Sequence, residues 1–124
     1  DARIKEDIKD SSLGLDFISQ LRVVEYKKRQ PVDYDESALP ILNWYKNGRN
    51  PRVLDELDKN KSRTGFIAQE VGEALKNIGF DDNNDIVEID ESNTQQMIAY
   101  SKLVPPLVKA VQELTAKVEA LENK

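Results

Sequence analysis

The stretch Ser101-Lys-Leu-Val-Pro-Pro-Leu-Val-Lys-Ala-Val-Gln-Glu-Leu114-Thr-Ala-Lys-Val-Glu-Ala-Leu121-Glu-Asn123 decides how the rest of the chain is read. Val104, Val111 and Val118 share one position of a seven-residue repeat, and Leu107, Leu114 and Leu121 share another. These are the a and d positions of a coiled coil, whose apolar stripe needs another helix to cover it. Ser101 reads as the N-cap. Pro105 and Pro106 fall in the first turns, where missing amide donors cost least. A helix lying on its own domain would carry a wider stripe. Val108 and Ala110 widen it near the start, so that half is expected to touch the globular body as well. Farther on, Lys117 at g and Glu122 at the following e have the spacing of an interhelical pair between parallel chains. The stretch therefore reads as a long helix that packs against copies of itself. Valine at a with leucine at d favours two strands in isolation, a preference the rest of a molecule can override.

The whole chain has 124 residues, the size of one domain. Its apolar fraction is 39% and its charged fraction 33%, against roughly 25% charged in ordinary soluble domains. Small cores of this kind are often completed by oligomerisation. A net charge of −5 speaks against a nucleic-acid partner, because phosphate contacts need clustered Lys and Arg. The run Lys27-Lys28-Arg29 reads as a solvated strand end. The chain contains neither cysteine nor histidine. That removes disulfides, thiolate metal sites, the usual zinc ligand and the Ser-His-Asp arrangement together. No cofactor and no metal are expected. No apolar stretch approaches the roughly 18 residues of a membrane span and no signal peptide opens the chain, so no membrane partner is expected. The opening Asp-Ala-Arg-Ile-Lys reads as the interior of a longer protein, cytoplasmic or particle-bound.

Along the body, Ile4 and Ile8 have the spacing of one helical turn. Ser11 or Ser12 is placed to cap a segment with Leu13, Phe17, Ile18 and Leu21 on one face, which Gly14 weakens. Arg22–Arg29 reads as a strand ended by Pro31. Gln30–Arg63 is the least regular part, holding Leu39, Ile41, Leu42, Trp44 and Tyr45 among prolines, glycine and amides. A long insertion of this kind is functional or disordered. Its aromatic pair reads either as a satellite cluster under a loop or as an arm, about residues 30–63, that grips a partner. Thr64–Ala68 is a short strand running into a helix with Val71, Ala74, Leu75 and Ile78 on one side, stopped by Gly79. Asp81-Asp-Asn-Asn84 is a turn, lacking the glycine and glutamate of a calcium loop. Asp85–Asp90 and Gln96–Tyr100 read as two strands of a hairpin across Glu91–Gln95.

Three segments carry a resemblance: Asp1-Ala-Arg-Ile-Lys-Glu-Asp-Ile8, Thr64-Gly-Phe-Ile-Ala-Gln-Glu-Val71 and Tyr100-Ser-Lys-Leu-Val-Pro-Pro-Leu-Val-Lys-Ala-Val-Gln-Glu-Leu114. Together they closely resemble the C-terminal intramolecular chaperone domain of bacteriophage tailspikes, tail fibres and neck appendages. This is the self-cleaving peptidase S74 family, which also includes the endosialidase chaperone. The resemblance implies a parallel homotrimer that aligns three chains while the upstream β-structure of the same polypeptide folds, and is then cut away. It implies action in the host cytoplasm during virion assembly. The family's cut motif reads Ser-Asp-x-Arg-x-Lys, with scission before the serine. Asp1, Arg3 and Lys5 match its last positions, and the serine would immediately precede Asp1. By this resemblance the chain looks like the released product without its first residue, the serine.

A serine hydroxyl needs a nearby base. With histidine absent, Lys5 is the candidate, with burial or the neighbouring Arg3 as means of lowering its pKa and Asp1 in a supporting role. The competing reading is that Asp1, Arg3, Lys5 and Glu6 form a solvated charged face, which leaves a non-enzymatic coiled-coil trimerisation or adaptor module. A domain that releases a membrane-bound transcription factor shares the same chemistry. The expected architecture is α+β: a globular body over 1–100 with a few short strands and helices and a long irregular insertion, then a coiled-coil helix over 101–124.

Overall fold

The structure, a computed structural model, describes residues 1–46 and 53–124, the first stretch with side chains to residue 43. Among them are five α-helices, several short 3-10 turns and two antiparallel sheets of two strands each. The mixed α+β expectation holds in this form.

The core is organised around α4, Ala68–Ile78, whose apolar residues recur at helical spacing. Val71, Ala74 and Leu75 are buried and meet Leu13, Phe17, Ile86 and Leu103, with Ile18, Leu21, Phe66 and Ile78 packed around them. Gly79 ends the helix in the left-handed region, at φ +76°. The Gly79 amide donates to the Lys76 carbonyl at 2.9 Å and the Phe80 amide to the Leu75 carbonyl at 3.0 Å, a Schellman closure. On one side of α4 lies α1, the single turn Leu15–Ile18. On the other lies the hairpin of β3, Val87–Ile89, and β4, Gln96–Ile98, with Glu88 opposite Met97. The hairpin stands where the sequence places it, though both strands are shorter than expected.

β1, Val24–Tyr26, pairs with β2, Arg63–Gly65, in the register Val24–Gly65 and Tyr26–Arg63. The intervening residues are thus the connection of a single β-hairpin. The described part of this connection is more regular than the sequence suggests. Two 3-10 turns, Pro31–Asp33 and Glu36–Ala38, precede α2, Leu39–Lys46, and α3 follows at Glu56–Asn60. The acidic residues that look like loop formers are caps. Asp35 accepts from the Ser37 amide at 3.0 Å and Asp55 from the Asp58 amide at 2.8 Å, satisfying donors that helix starts leave open. At the neck, the Gln30 side chain accepts from the Leu54 amide at 2.9 Å and donates to the Leu54 carbonyl at 2.8 Å. One amide group thus plays the part of a strand neighbour.

The terminal helix α5 runs over Val104–Glu122, 19 residues or about 28 Å. The 3-10 turn Tyr100–Leu103 leads into it, so Ser101 lies inside that turn and is not the cap. The second and third positions of α5 are Pro105 and Pro106, which have no amide hydrogen, so two of the donors a capping side chain would satisfy do not exist. Two further expectations fail near the other end. Ile4 and Ile8 do not share a helical turn. A 3-10 turn covers Ala2–Ile4, Asp7 adopts φ +55°, and both isoleucines are exposed. Gly14 is the N-cap of α1, not a weak point inside a helix, and no serine caps it. Ser11 instead accepts from the Leu13 amide at 3.1 Å.

Candidate functional site

The motif-bearing N-terminus is a small self-contained turn. The Asp1 carboxylate accepts from the Arg3 amide at 2.9 Å and from Arg3 Nε at 3.0 and 3.1 Å, and Arg3 Nη2 closes the pair. The structure thus brings Asp1 and Arg3 together. Lys5 follows in extended backbone, and its side chain is exposed. Its amide donates to the Ala2 carbonyl at 3.2 Å, whereas among the described residues its side chain makes no hydrogen bond or ion pair. Within one chain the Lys5 side chain is in solvent and the Arg3 guanidinium is paired with Asp1.

α5 has two faces. Leu103 in the lead-in turn, then Pro106 and Ala110, are buried against the body, where α5 packs on α1. About 100° around the axis, Val104, Leu107, Val111, Leu114, Val118 and Leu121 form an apolar line that is between 47% and 64% exposed. The expected widening is half met: Ala110 faces the body, whereas Val108 is exposed beside the line. The line is therefore additional to the helix's own packing surface. It is an uncovered seam.

Trp44 and Tyr45, the expected partner-gripping pair, fall on α2 in the insertion, but their side chains lie outside the described residues. Leu42, a turn earlier, is buried.

Several polar links join the elements. Arg22 binds Glu70 through Nε at 3.0 Å and Nη2 at 2.6 Å, tying the approach to β1 onto the first turn of α4. The hydrogen bond from Arg22, and then its charge, hold the Glu70 carboxyl below its ordinary range. The Tyr100 hydroxyl accepts from the Phe66 amide at 3.1 Å, with the two rings 5.8 Å apart. The link most easily missed in the sequence joins α5 to α1. Glu113 Oε1 accepts from the Leu15 amide at 3.2 Å. A Cβ on Gly14 would lie 1.8 Å from that oxygen and 3.1 Å from Lys109 Cγ. Nothing local signals it: the partners are 98 positions apart, and glycine before a helix reads as flexibility.

Among the described residues no group of acidic side chains is arranged to hold a metal ion. The Asp81–Asn84 loop uses its side chains on backbone amides, Asp81 on Asn83 and Asn84 on Ile86 and Val87. Among the same residues no helix is long and apolar enough to cross a membrane.

The chain is thus a small α+β body whose terminal helix carries a half-exposed apolar line at heptad spacing. Comparison with known families names the class: residues 1–80 match the family model described as the chaperone of endosialidase, peptidase S74. The chain belongs to this family, and membership carries an intramolecular chaperone role. The matched residues include Asp1–Ile8 and Thr64–Val71; the terminal helix lies beyond them. No curated protein and no solved structure matches the chain.

Proposed function

We propose that this domain trimerises in parallel through the α5 seam, aligns three copies of an upstream β-structured fibre or appendage chain, and is then released by its own cut just before the serine that would precede Asp1. The observation that carries the reading is the seam itself. Six aliphatic side chains at a and d spacing stay about half in water while a different face of the same helix holds the body. Interwound β-structure forms slowly because loop closure precedes the contacts that reward it. A fast helical clamp raises the effective concentration of the three chains and sets their register. Removing the clamp afterwards leaves the fibre kinetically trapped. Assembly in the host cytoplasm follows from the same reading, with the fibre chain as the partner and Trp44 and Tyr45 as the arm that touches it.

For the cut, a serine hydroxyl before Asp1 attacks the carbonyl carbon of the peptide bond on its own N-terminal side. The C–N bond breaks, the serine amine leaves with a proton, and water hydrolyses the resulting ester. Lys5 in its neutral form accepts the hydroxyl proton, Asp1 and Arg3 brace the turn, and the reaction in cis needs proximity more than a substrate pocket. Expression from the gene, with the sequence expected upstream and its serine in place, tests this. Spontaneous scission before the serine is expected, and Lys5→Ala abolishes it. An intact precursor, or a precursor cut equally well with Lys5→Ala, refutes the chemistry. The exposure of Lys5 and the closed Asp1–Arg3 pair favour a second reading, in which the domain is a trimerisation module without chemistry. Under that reading the precursor stays intact while the assembly persists.

A further inference from the structure

The apolar content of α5 poses a question of choice. The face turned to the body offers Pro106 and Ala110, while the face turned to solvent offers three valines and three leucines. Burial of apolar area alone favours the opposite arrangement, with the larger side chains rolled inward onto α1 and the core. A lone chain would then cover its own seam and have little left to offer a second copy.

Two features oppose that roll. The small Ala110 side chain and the bare Gly14 backbone let α5 and α1 approach closely, and the Lys109 stem passes over Gly14. Into the notch left by the missing Cβ goes the Glu113 carboxylate, which accepts the Leu15 amide. That amide belongs to the first residue of α1 and is one of the donors that a helix start leaves without a backbone partner. Rolling α5 inward would withdraw the carboxylate and strand both the amide and a half-buried acid, whereas rolling outward would expose Leu103 and Ala110.

We propose that the Glu113–Gly14 notch determines how α5 is presented: it locks the rotation of the helix so that the seam faces a second copy of this chain and not its own body. Glu113 is thus a positioning residue for self-assembly, although it lies off the seam. The inference rests on the seam being the assembly surface.

The test is sedimentation equilibrium of the whole chain over a wide concentration range. Glu113→Ala and Gly14→Ala are expected to raise the half-assembly concentration by about tenfold or more, through an unsatisfied amide in each copy. Glu113→Gln, which keeps an accepting oxygen at the same reach, is expected to stay within about threefold of the parent. Ile86→Val, a one-methylene trim within the core cluster, is the reference for destabilisation alone and stays near the parent. Because the chain has no cysteine, a single Val118→Cys reports presentation directly. Its disulfide cross-linking between copies is expected to fall when Glu113→Ala is added, at concentrations where the body remains folded. Should Leu114→Lys disperse the assembly while Glu113→Ala and Gly14→Ala leave both readouts at parental values, the lock is refuted and the seam stands. Should Leu114→Lys also leave assembly unchanged, the seam reading falls, and the lock with it.

Discussion

Shortening Leu114 to alanine isolates the energy of the seam. In the single chain Leu114 is 47% exposed. Fully burying a leucine contributes about 1.5–3 kcal/mol, so covering the remaining half on assembly is worth about 1 kcal/mol per chain. A trimer thus loses about 3 kcal/mol with Leu114→Ala, on the order of a hundredfold in its association constant. Alanine is a better helix former than leucine, so the helix itself is not weakened. The dilute chain should unfold at nearly the parental temperature while the concentration for half-assembly rises. Leu114→Lys goes further, because each copy would have to bury an unpaired ammonium, and it should leave monomer at all accessible concentrations. Sedimentation equilibrium reads association, and circular dichroism melting at two concentrations separates it from stability. A parent chain that is monomeric at every concentration refutes the reasoning. So does an alanine variant that associates like the parent.

Gly79→Ala tests the helix stop separately. No heavy atom lies within 4 Å of the added methyl, and φ is +76°, so the change should cost about 1 kcal/mol through backbone conformation alone, read as a lowered melting temperature with assembly of the folded chain unchanged. Acid should act through the carboxylates held below their ordinary range: Glu70 by its hydrogen bond from Arg22, and Asp90 by the Ser92 hydroxyl and amide. Depressed native values mean that their stabilisation is complete above the ordinary carboxylate range and disappears as pH falls through the lowered values. Melting temperature should therefore hold from neutrality to about pH 5 and decline below about pH 4. Glu70→Gln should lessen that decline, and an equal decline in the variant contradicts the assignment.

What the sequence made legible is what periodicity and punctuation encode. The helix ending at Gly79, the β3–β4 hairpin and the terminal helix each carry a repeat of 3.6, 2 or 7 residues with a stop signal. The heptad also marked the apolar line that the structure leaves about half exposed. Caps were harder to read. Ser101 has the composition of an N-cap, but Pro105 and Pro106 removed the donors it would serve. Asp35 and Asp55 read as loop residues although each starts a helical turn. The Glu113–Leu15 bond was invisible because its partners meet only through the fold. For Lys5 the motif marks a position in the chain, and the structure adds that its side chain lies in solvent.

The Gln30–Leu54 clasp gives the fold a mechanical partition. A side-chain amide that holds two backbone points with paired hydrogen bonds makes the span between them a cassette whose ends are already joined. Along the chain the clasp stands between that span and the β1–β2 ladder. Replacing the cassette by a longer one adds only about 0.6 kcal/mol of closure entropy per doubling of its length. A body closed off in this way tolerates a change of length beyond the clasp without a change in its core.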